Sequence, residues 1–320
     1  MNLQGILNLA HKRLFDEKGV DAKRLFADWE LVSYADDAEK EIARELECLR
    51  DTDTIGYLTL AGSDGQINSV SVSTIVITSA AVPFASNLFT TAANLAANIN
   101  AYTSEPNYRA VARGALVIIK AIPNTGFPAG GYSLTASTTT MTAAATDLPG
   151  LCRQVVSIGQ RYLPLDSRIL RITRFKPSAQ ARPITLTTRE YMDDMFPIWE
   201  TYANGTITYG IPEYESNELI ISSPSDAVEM IEQSVIRLPL VDLSIATLEA
   251  PPEIAAKYHD AMVEWIMGKA YTKRDVLETF DPGRSAMHMN EFNRRMAEWK
   301  KQAIWASPGQ QVNSIPPGLM

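Results

Sequence analysis

Three histidines (His11, His259 and His288) and three carboxylates near one tryptophan (Glu190, Asp193 and Asp194 beside Trp199) are the side chains best suited to chemistry. Histidine can ligate a metal or act as a general base, but a metal site needs several ligands converging on one point. The chain has no HExxH and no paired Cys/His spacing that would supply them. A glycosidase would need two carboxylates roughly 5–10 Å apart across a cleft, and Glu190, Asp193 and Asp194 are the local candidates for that pair. Adjacent residues such as Asp36–Asp37 and Asp193–Asp194 point in different directions on a helix, so they read as solvated faces or caps. No GxSxG elbow and no Walker-type phosphate loop occur, and GFPAGG (Gly126–Gly131) lacks both a lysine and a following helix start. The expectation is a protein that is not an enzyme, with no catalytic residue, cofactor or metal.

The elements that would carry these residues begin with the best-patterned stretch, Pro251 to Gln302. Ile254, Tyr258, Ala261, Met262 and Trp265 recur at steps of three and four, the spacing with which an α-helix buries one face. After a turn at ETFDP, Asp281 is an N-cap with Pro282 at the first helical position, and His288, Phe292, Met296 and Trp299 share a face. The reading is an antiparallel helical hairpin whose core is Tyr258, Met262, Trp265, Phe292 and Met296. His259 and His288 could approach each other across it, with packing as their expected role.

Residues 2–50 give two more helices. One stripe runs Ile6, Leu7, Ala10, Leu14 and Phe15, with Gly19 as a helix end. The other runs Trp29, Val32, Ala35, Ala38, Ile42, Ala43 and Leu46, with Glu39 outward. From Ile55 to Thr146 charge nearly vanishes. There QINSVSVSTIVITS reads as a strand pair or one long strand, TTAANLAANINAYTS as a helix capped by Thr90 or Thr91, and Tyr108–Ala112, Ala115–Ala121 and Tyr132–Thr139 as strands. The Ala/Thr-rich run to Asp147 reads as a linker. Residues 151–240 are again short strands separated by Pro, Gly, Asn and Ser, with REYMDDMFPIWETY as a helical interruption. SRILRITRF alternates charged and apolar residues, as in a sheet wet on one face.

The predicted class is therefore α+β: a helical bundle made from the two chain ends, a strand-rich middle and a small inserted β-rich (β-α-β) domain. The expected segments are 1–50, 55–146 (inserted module), 151–240 (strand-rich middle), 251–303 (hairpin) and 304–320 (extended tail).

At 46% hydrophobic and 21% charged, the 320-residue composition is that of a globular protein. A net charge of −8 disfavours a free-standing nucleic-acid binder. Cys48 and Cys152 read as reduced thiols, which fits synthesis in a cytoplasm. The amino terminus shows no signal peptide, and no apolar run approaches the ~20 residues that cross a bilayer, so no membrane is expected.

The run KYHDAMVEWIMGKAYTKRDVLETFDPGRSAMHMNEF resembles the C-terminal signature of tailed-bacteriophage head-to-tail adaptor (connector) proteins, through Tyr258, His259, Ala270, Tyr271, Arg274, Asp275 and His288. RLFADWELVSYADDAEKEIAREL resembles the second helix of the same family. INSV, TTAANLAANINAYTS and ARGALVI, within Gly65–Thr140, resemble a β-rich module that recurs as an insertion in phage virion and tail proteins. The resemblance implies a structural virion protein of the neck, made in the host bacterial cytoplasm. It implies a homo-oligomeric ring, usually a dodecamer, that joins the portal of a DNA-filled capsid to tail or nozzle proteins and continues the DNA exit channel. It implies as partners the portal protein and neighbouring subunits, with DNA passing through without sequence-specific binding. Trp299, Ile304, Trp305, Ile315 and Leu319 are the expected contacts to portal or neighbour. The alternatives are a virion-associated hydrolase with a carbohydrate-binding insertion, or a tail-completion protein.

Overall fold

A computed structural model describes residues 1–14, 26–128, 130–273 and 280–306, with side chains as far as Gln302. The chain forms two compact units: residues 1–48, 242–246 and 252–320 make the first, and 49–241 with 247–251 make the second.

The first unit is helical. Helix α1 (Leu3–Arg13) starts where the Asn2 side chain accepts the Gly5 N–H at 3.0 Å, and it buries Leu3, Ile6, Leu7 and Ala10. Helix α2 (Asp28–Leu46) buries Leu31, Val32, Ala35, Ala38, Ile42 and Ala43. Two positions of its stripe differ from the sequence reading. Trp29 is 62% exposed, because it lies in the first turn beyond the packed face. Glu39, expected outward, is fully buried, and its carboxylate accepts the backbone N–H groups of Glu253 and Ile254. A buried carboxylate is tolerable when backbone donors replace its water. Phe15 and Gly19 of the first stripe lie outside the described residues.

Among its described residues the second unit holds two α-helices and sixteen strands. In chain order these are β1 (Arg50–Asp51), β2 (Thr54–Ala61), β3 (Gln66–Val72), β4 (Ile75–Val76), β5 (Val82–Pro83), α3 (Leu88–Ala101), β6 (Tyr108–Arg113), β7 (Leu116–Ala121), β8 (Leu134–Thr139) and β9 (Thr142–Asp147). They continue with β10 (Arg153–Val156), β11 (Tyr162–Pro164), β12 (Ile169–Pro177), β13 (Thr185–Leu186), α4 (Arg189–Met195), β14 (Tyr209–Glu213), β15 (Glu218–Ile221) and β16 (Glu229–Arg237). Helix α3 is capped by Asn87, which accepts the Thr90 N–H at 2.8 Å, in place of the expected threonines.

Four four-stranded sheets result. In the first, β1, β10 and β12 all pair antiparallel with β16. The second runs β11-β15-β14-β13, the third β6-β7-β2-β9, and in the fourth β3 pairs with β4, β5 and β8. Strand β12 buries Ile169, Ile172 and Phe175, a spacing of three where a regular strand would give two. Register shifts at Ile169/Arg171 and Ile172/Arg174 each insert a residue, and that converts period two into period three.

Two apolar cores meet the third sheet from opposite sides. Val117 and Ile119 of β7 pack with Leu58, Leu95, Ile99 and Val70. Leu116 and Ile118 of the same strand pack instead with Leu151, Phe175, Ile231 and Val235. A strand buried on both faces needs a continuous apolar run, and LVII in β7 is one. The hairpin turn before it requires Gly114 (φ +61°), where an added Cβ would come within 2.8 Å of the Ala250 Cβ.

Two corrections follow. The sequence reading centred the fold on a helical bundle built from both termini, with a small β-α-β insertion. The protein is instead a strand-rich α+β structure with six helices and four small sheets among the described residues. Helical stripes repeat over many residues and stand out, whereas strands of two to nine residues leave little period to detect. The Ala/Thr run ending at Asp147 is strand β9, paired with β2 from Ala61↔Thr142 to Gly56↔Asp147. It is an edge strand with mostly exposed side chains, so no apolar alternation marks it.

In the second unit Asp51 is buried and collects two cations and a hydroxyl. Arg237 Nε and Nη2 lie 2.9 and 2.8 Å from its Oδ2, Lys120 Nζ lies 3.4 Å from Oδ1, and the Thr54 hydroxyl donates at 2.7 Å. Burial alone would raise the Asp51 pKa, but Arg237, Lys120 and Thr54 outweigh it and hold the carboxyl well below its ordinary value. The contribution is present in full above the ordinary Asp value of 3.8 and is lost as pH falls below it. Asp51→Asn removes the carboxylate charge shared by the buried Arg237 guanidinium and Lys120 and should cost about 3–5 kcal/mol. Urea unfolding at neutral pH measures this, and a loss under about 1 kcal/mol would show that the pair is dispensable.

Candidate interaction surface

Helices α5 (His259–Ala270) and α6 (Pro282–Ala306) form the hairpin of the first unit. Asp281 caps α6 by accepting the Arg284 N–H at 3.0 Å, and Pro282 occupies the first position, where no N–H is needed. Inside the hairpin the Ser285 hydroxyl donates to the Gly268 carbonyl at 2.8 Å. Tyr258, Met262, Phe292 and Met296 are buried, and Trp265 and Trp299 are half-buried. Trp299 meets Tyr258 edge-on at 4.8 Å, and Trp265 meets Phe292 at 4.9 Å, the tilted geometry that aromatic quadrupoles favour. Helix α6 runs through positions 304 and 305, which the sequence reading had assigned to an extended tail. The side chains of Ile304 and Trp305, and all of Ile315 and Leu319, lie outside the described residues.

Glu264 of α5 is the charged centre of this unit. It is 7% exposed at its side chain, and it receives Arg13 of α1 at 2.7 Å and His288 of α6 at 2.8 Å. His288 also stacks flat on Tyr271 at 5.7 Å. His259 has other partners: its Nε2 lies 3.4 Å from the Ile254 carbonyl, and its Nδ1 has none among the described residues. Burial lowers the His259 pKa below its ordinary 6.5. The two histidines therefore serve separate contacts, and neither is set against a nucleophile. His11 pairs with Asp28 at 2.9 Å.

The carboxylates singled out beside Trp199 stand together on the outside of one short surface helix. Glu190, Asp193 and Asp194 are exposed on the seven-residue helix α4, and Asp193 accepts the Trp199 indole N–H at 2.8 Å. The hydrolase alternative thus loses the residues it rested on. No group of three His, Cys, Asp or Glu among the described residues could hold a metal ion. Both cysteines are free, and burial pushes the Cys48 thiol up to about 11, away from the reactive thiolate.

What residue spacing did not reveal is an exposed apolar group on and after α4. Tyr191, Met195 and Ile198 are 44%, 58% and 67% exposed. Beneath them Met192 and Trp199 form a small core with Ile211 and Ile220. Arg161 fastens this segment by donating to the carbonyls of Trp199 (3.3 Å), Tyr202 (3.2 Å) and Ser222 (2.7 Å). The run MFPIW carried the signal, since four large apolar residues around a proline cannot all turn inward from one short helix. A rigid segment that keeps large apolar side chains in water is the usual mark of a contact surface.

The family model described as SU10 adaptor protein matches residues 148–312, just over half of the chain. The chain belongs to the SU10 adaptor protein family. No curated protein matches it. This adaptor is therefore a phage structural protein and a virion component. The matched segment contains both the α4 apolar group and the α5–α6 hairpin, and it begins one residue after β9. No helix among the described residues is long and apolar enough to cross a membrane.

Two measurements test the hairpin. Glu264→Gln removes the charge that Arg13 and His288 share and should cost about 1.5–3 kcal/mol, nearer the lower end because Arg13 is partly exposed. An unchanged melting temperature would contradict it. His259 is held neutral, so its contribution is complete above pH 6.5 and declines as pH falls below that value. His259→Gln should therefore lose less stability between pH 7.5 and 5.5 than the parent. Equal losses would exclude His259 as the group responsible.

Proposed function

We propose that this adaptor forms the closed ring at the head-to-tail interface, bound to the portal on one side and to tail or nozzle proteins on the other. DNA leaves the capsid through its central channel. The observation that carries the reading is the match over 148–312, which contains an exposed apolar group on a segment fastened by Arg161. A cyclic ring needs heterologous flanks, so the surface one subunit offers must differ from the surface it receives. In this reading Tyr191, Met195 and Ile198 supply one such flank, and the α6 end with residues 304–320 reaches the portal or a neighbour. The net charge of −8 suits a channel that repels the phosphate backbone and lets it slide.

Mass measurement of the adaptor, alone and mixed with portal, is the direct test. The expected result is a small species alone and a ring, twelve-fold in the leading version, on portal. Truncation before residue 304 should weaken portal association, and equal association would remove the tail from the mechanism. Ile198→Asp should leave the melting temperature within about 0.5 kcal/mol of the parent in stability terms while abolishing ring closure. Normal rings from this variant would eliminate the α4 flank.

A further inference from the structure

We infer that the cleft between the loop after α3 and the loop after β7 is a binding site for a neutral oligosaccharide. The cleft is a shallow groove, largely open to solvent, with a volume of about 820 Å³. Its walls carry Tyr102, Val76, Thr103, Glu105, Asn107 and Asn124. Tyr102 is 36% exposed and Val76 44%, so an aromatic face and an aliphatic wall are both open to a ligand.

The two loops are clamped before any ligand arrives. The Ile122 N–H donates to the Asn107 carbonyl at 2.9 Å, and the Asn107 N–H donates to the Thr125 hydroxyl at 2.9 Å. Thr125 in turn donates to the Ile122 carbonyl at 2.9 Å. The Asn107 side-chain oxygen accepts the Tyr108 N–H at 2.9 Å and a longer bond from Ser104 N at 3.4 Å, which fixes its amide. Asn124 sits in the left-handed region (φ +63°), where asparagine is among the few tolerated residues. A site organised in advance avoids the entropy of ordering its own walls on binding.

Within this frame the Asn107 Nδ2 group, the Asn124 amide, the Thr103 hydroxyl and the Glu105 carboxylate have no hydrogen-bond partner among the described residues. They offer donors and acceptors side by side, which is what a ligand rich in hydroxyls requires. The CH face of a sugar ring packs on an aromatic side chain by the same area burial that makes tyrosine effective at wet interfaces. No lysine or arginine lines the cleft, so an anionic ligand would meet only the Glu105 charge. The walls are too polar for a lipid chain.

Saturation-transfer NMR on the full-length adaptor with maltotriose, cellotriose and triacetylchitotriose, each at millimolar concentration, tests the site, with a sulfated heparin disaccharide as the charged comparison. The expected result is transfer to at least one neutral trisaccharide and none to the sulfated one. Tyr102→Ala and Asn124→Gly should each weaken that binding by about tenfold or more at an unchanged melting temperature, since both side chains are exposed and glycine keeps the left-handed backbone at position 124. Absence of transfer to all three neutral sugars, binding that both variants leave intact, or preference for the sulfated disaccharide would overturn the assignment. The outcome is independent of ring formation.

Discussion

Asp51 is the point on which the second unit is hung. Strand β1 is only two residues long, too short to hold a register by backbone pairing alone, and it pairs with β16 through Arg50↔Ile236 and Asp51↔Val235. The Asp51 carboxylate adds what the short ladder lacks. It binds Arg237 on β16, Lys120 on β7 and the hydroxyl of Thr54 at the start of β2. One side chain thus joins three sheet elements and fixes where the chain turns from the first sheet into the third. Desolvation works against a buried carboxylate, so the arrangement depends on all its partners being in place together. Arg153 and Arg109 approach the neighbouring Asp53 at 3.5 and 2.8 Å, which extends the same polar seam.

Around that seam the packing divides into two apolar cores on either side of the third sheet, and the surface divides into contact regions of different character. The α4 segment is apolar and rigid, held by Arg161 and by the Trp199–Asp193 bond. The cleft beside α3 is polar and lined by uncommitted amide and hydroxyl groups. In the first unit Glu264 of α5 pairs with Arg13 and His288, and Glu39 of α2 accepts the backbone N–H groups that precede α5, so these two carboxylates tie its helices together.

Much of the helical content was legible because its signals are long. The stripes at Ile6, Leu7 and Ala10 and at Tyr258, Met262 and Phe292 repeat over several turns, and Asp281–Pro282 is a local cap that needs no tertiary context. Strands β6 and β7 were legible from Tyr108–Ala112 and Ala115–Ala121 around a glycine turn. Strand β9 was not, because its side chains are mostly exposed and its existence is decided by the free edge of β2, far away in sequence. Glu39 was misread for a related reason: a helix wheel sorts residues by polarity and cannot know that Glu253 and Ile254 bring donors to the buried face. The overall weighting of helix over sheet failed by the same bias toward long periods. The exposed group at α4 was only hinted at by MFPIW, because which apolar residues stay exposed is a property of the finished surface.

The third sheet has a consequence for modularity. Leu116 and Ile118 of β7 project into one core while Val117 and Ile119 project into the other. Residues 54–147 are therefore not a decoration that could be clipped off at a loop: excising them would strip one wall from the neighbouring core and leave Phe175 and Leu151 facing water. A replacement cargo grafted at this position would have to bring its own doubly apolar strand. The boundary between scaffold and accessory thus runs lengthwise through a single β-strand, with alternate residues belonging to each.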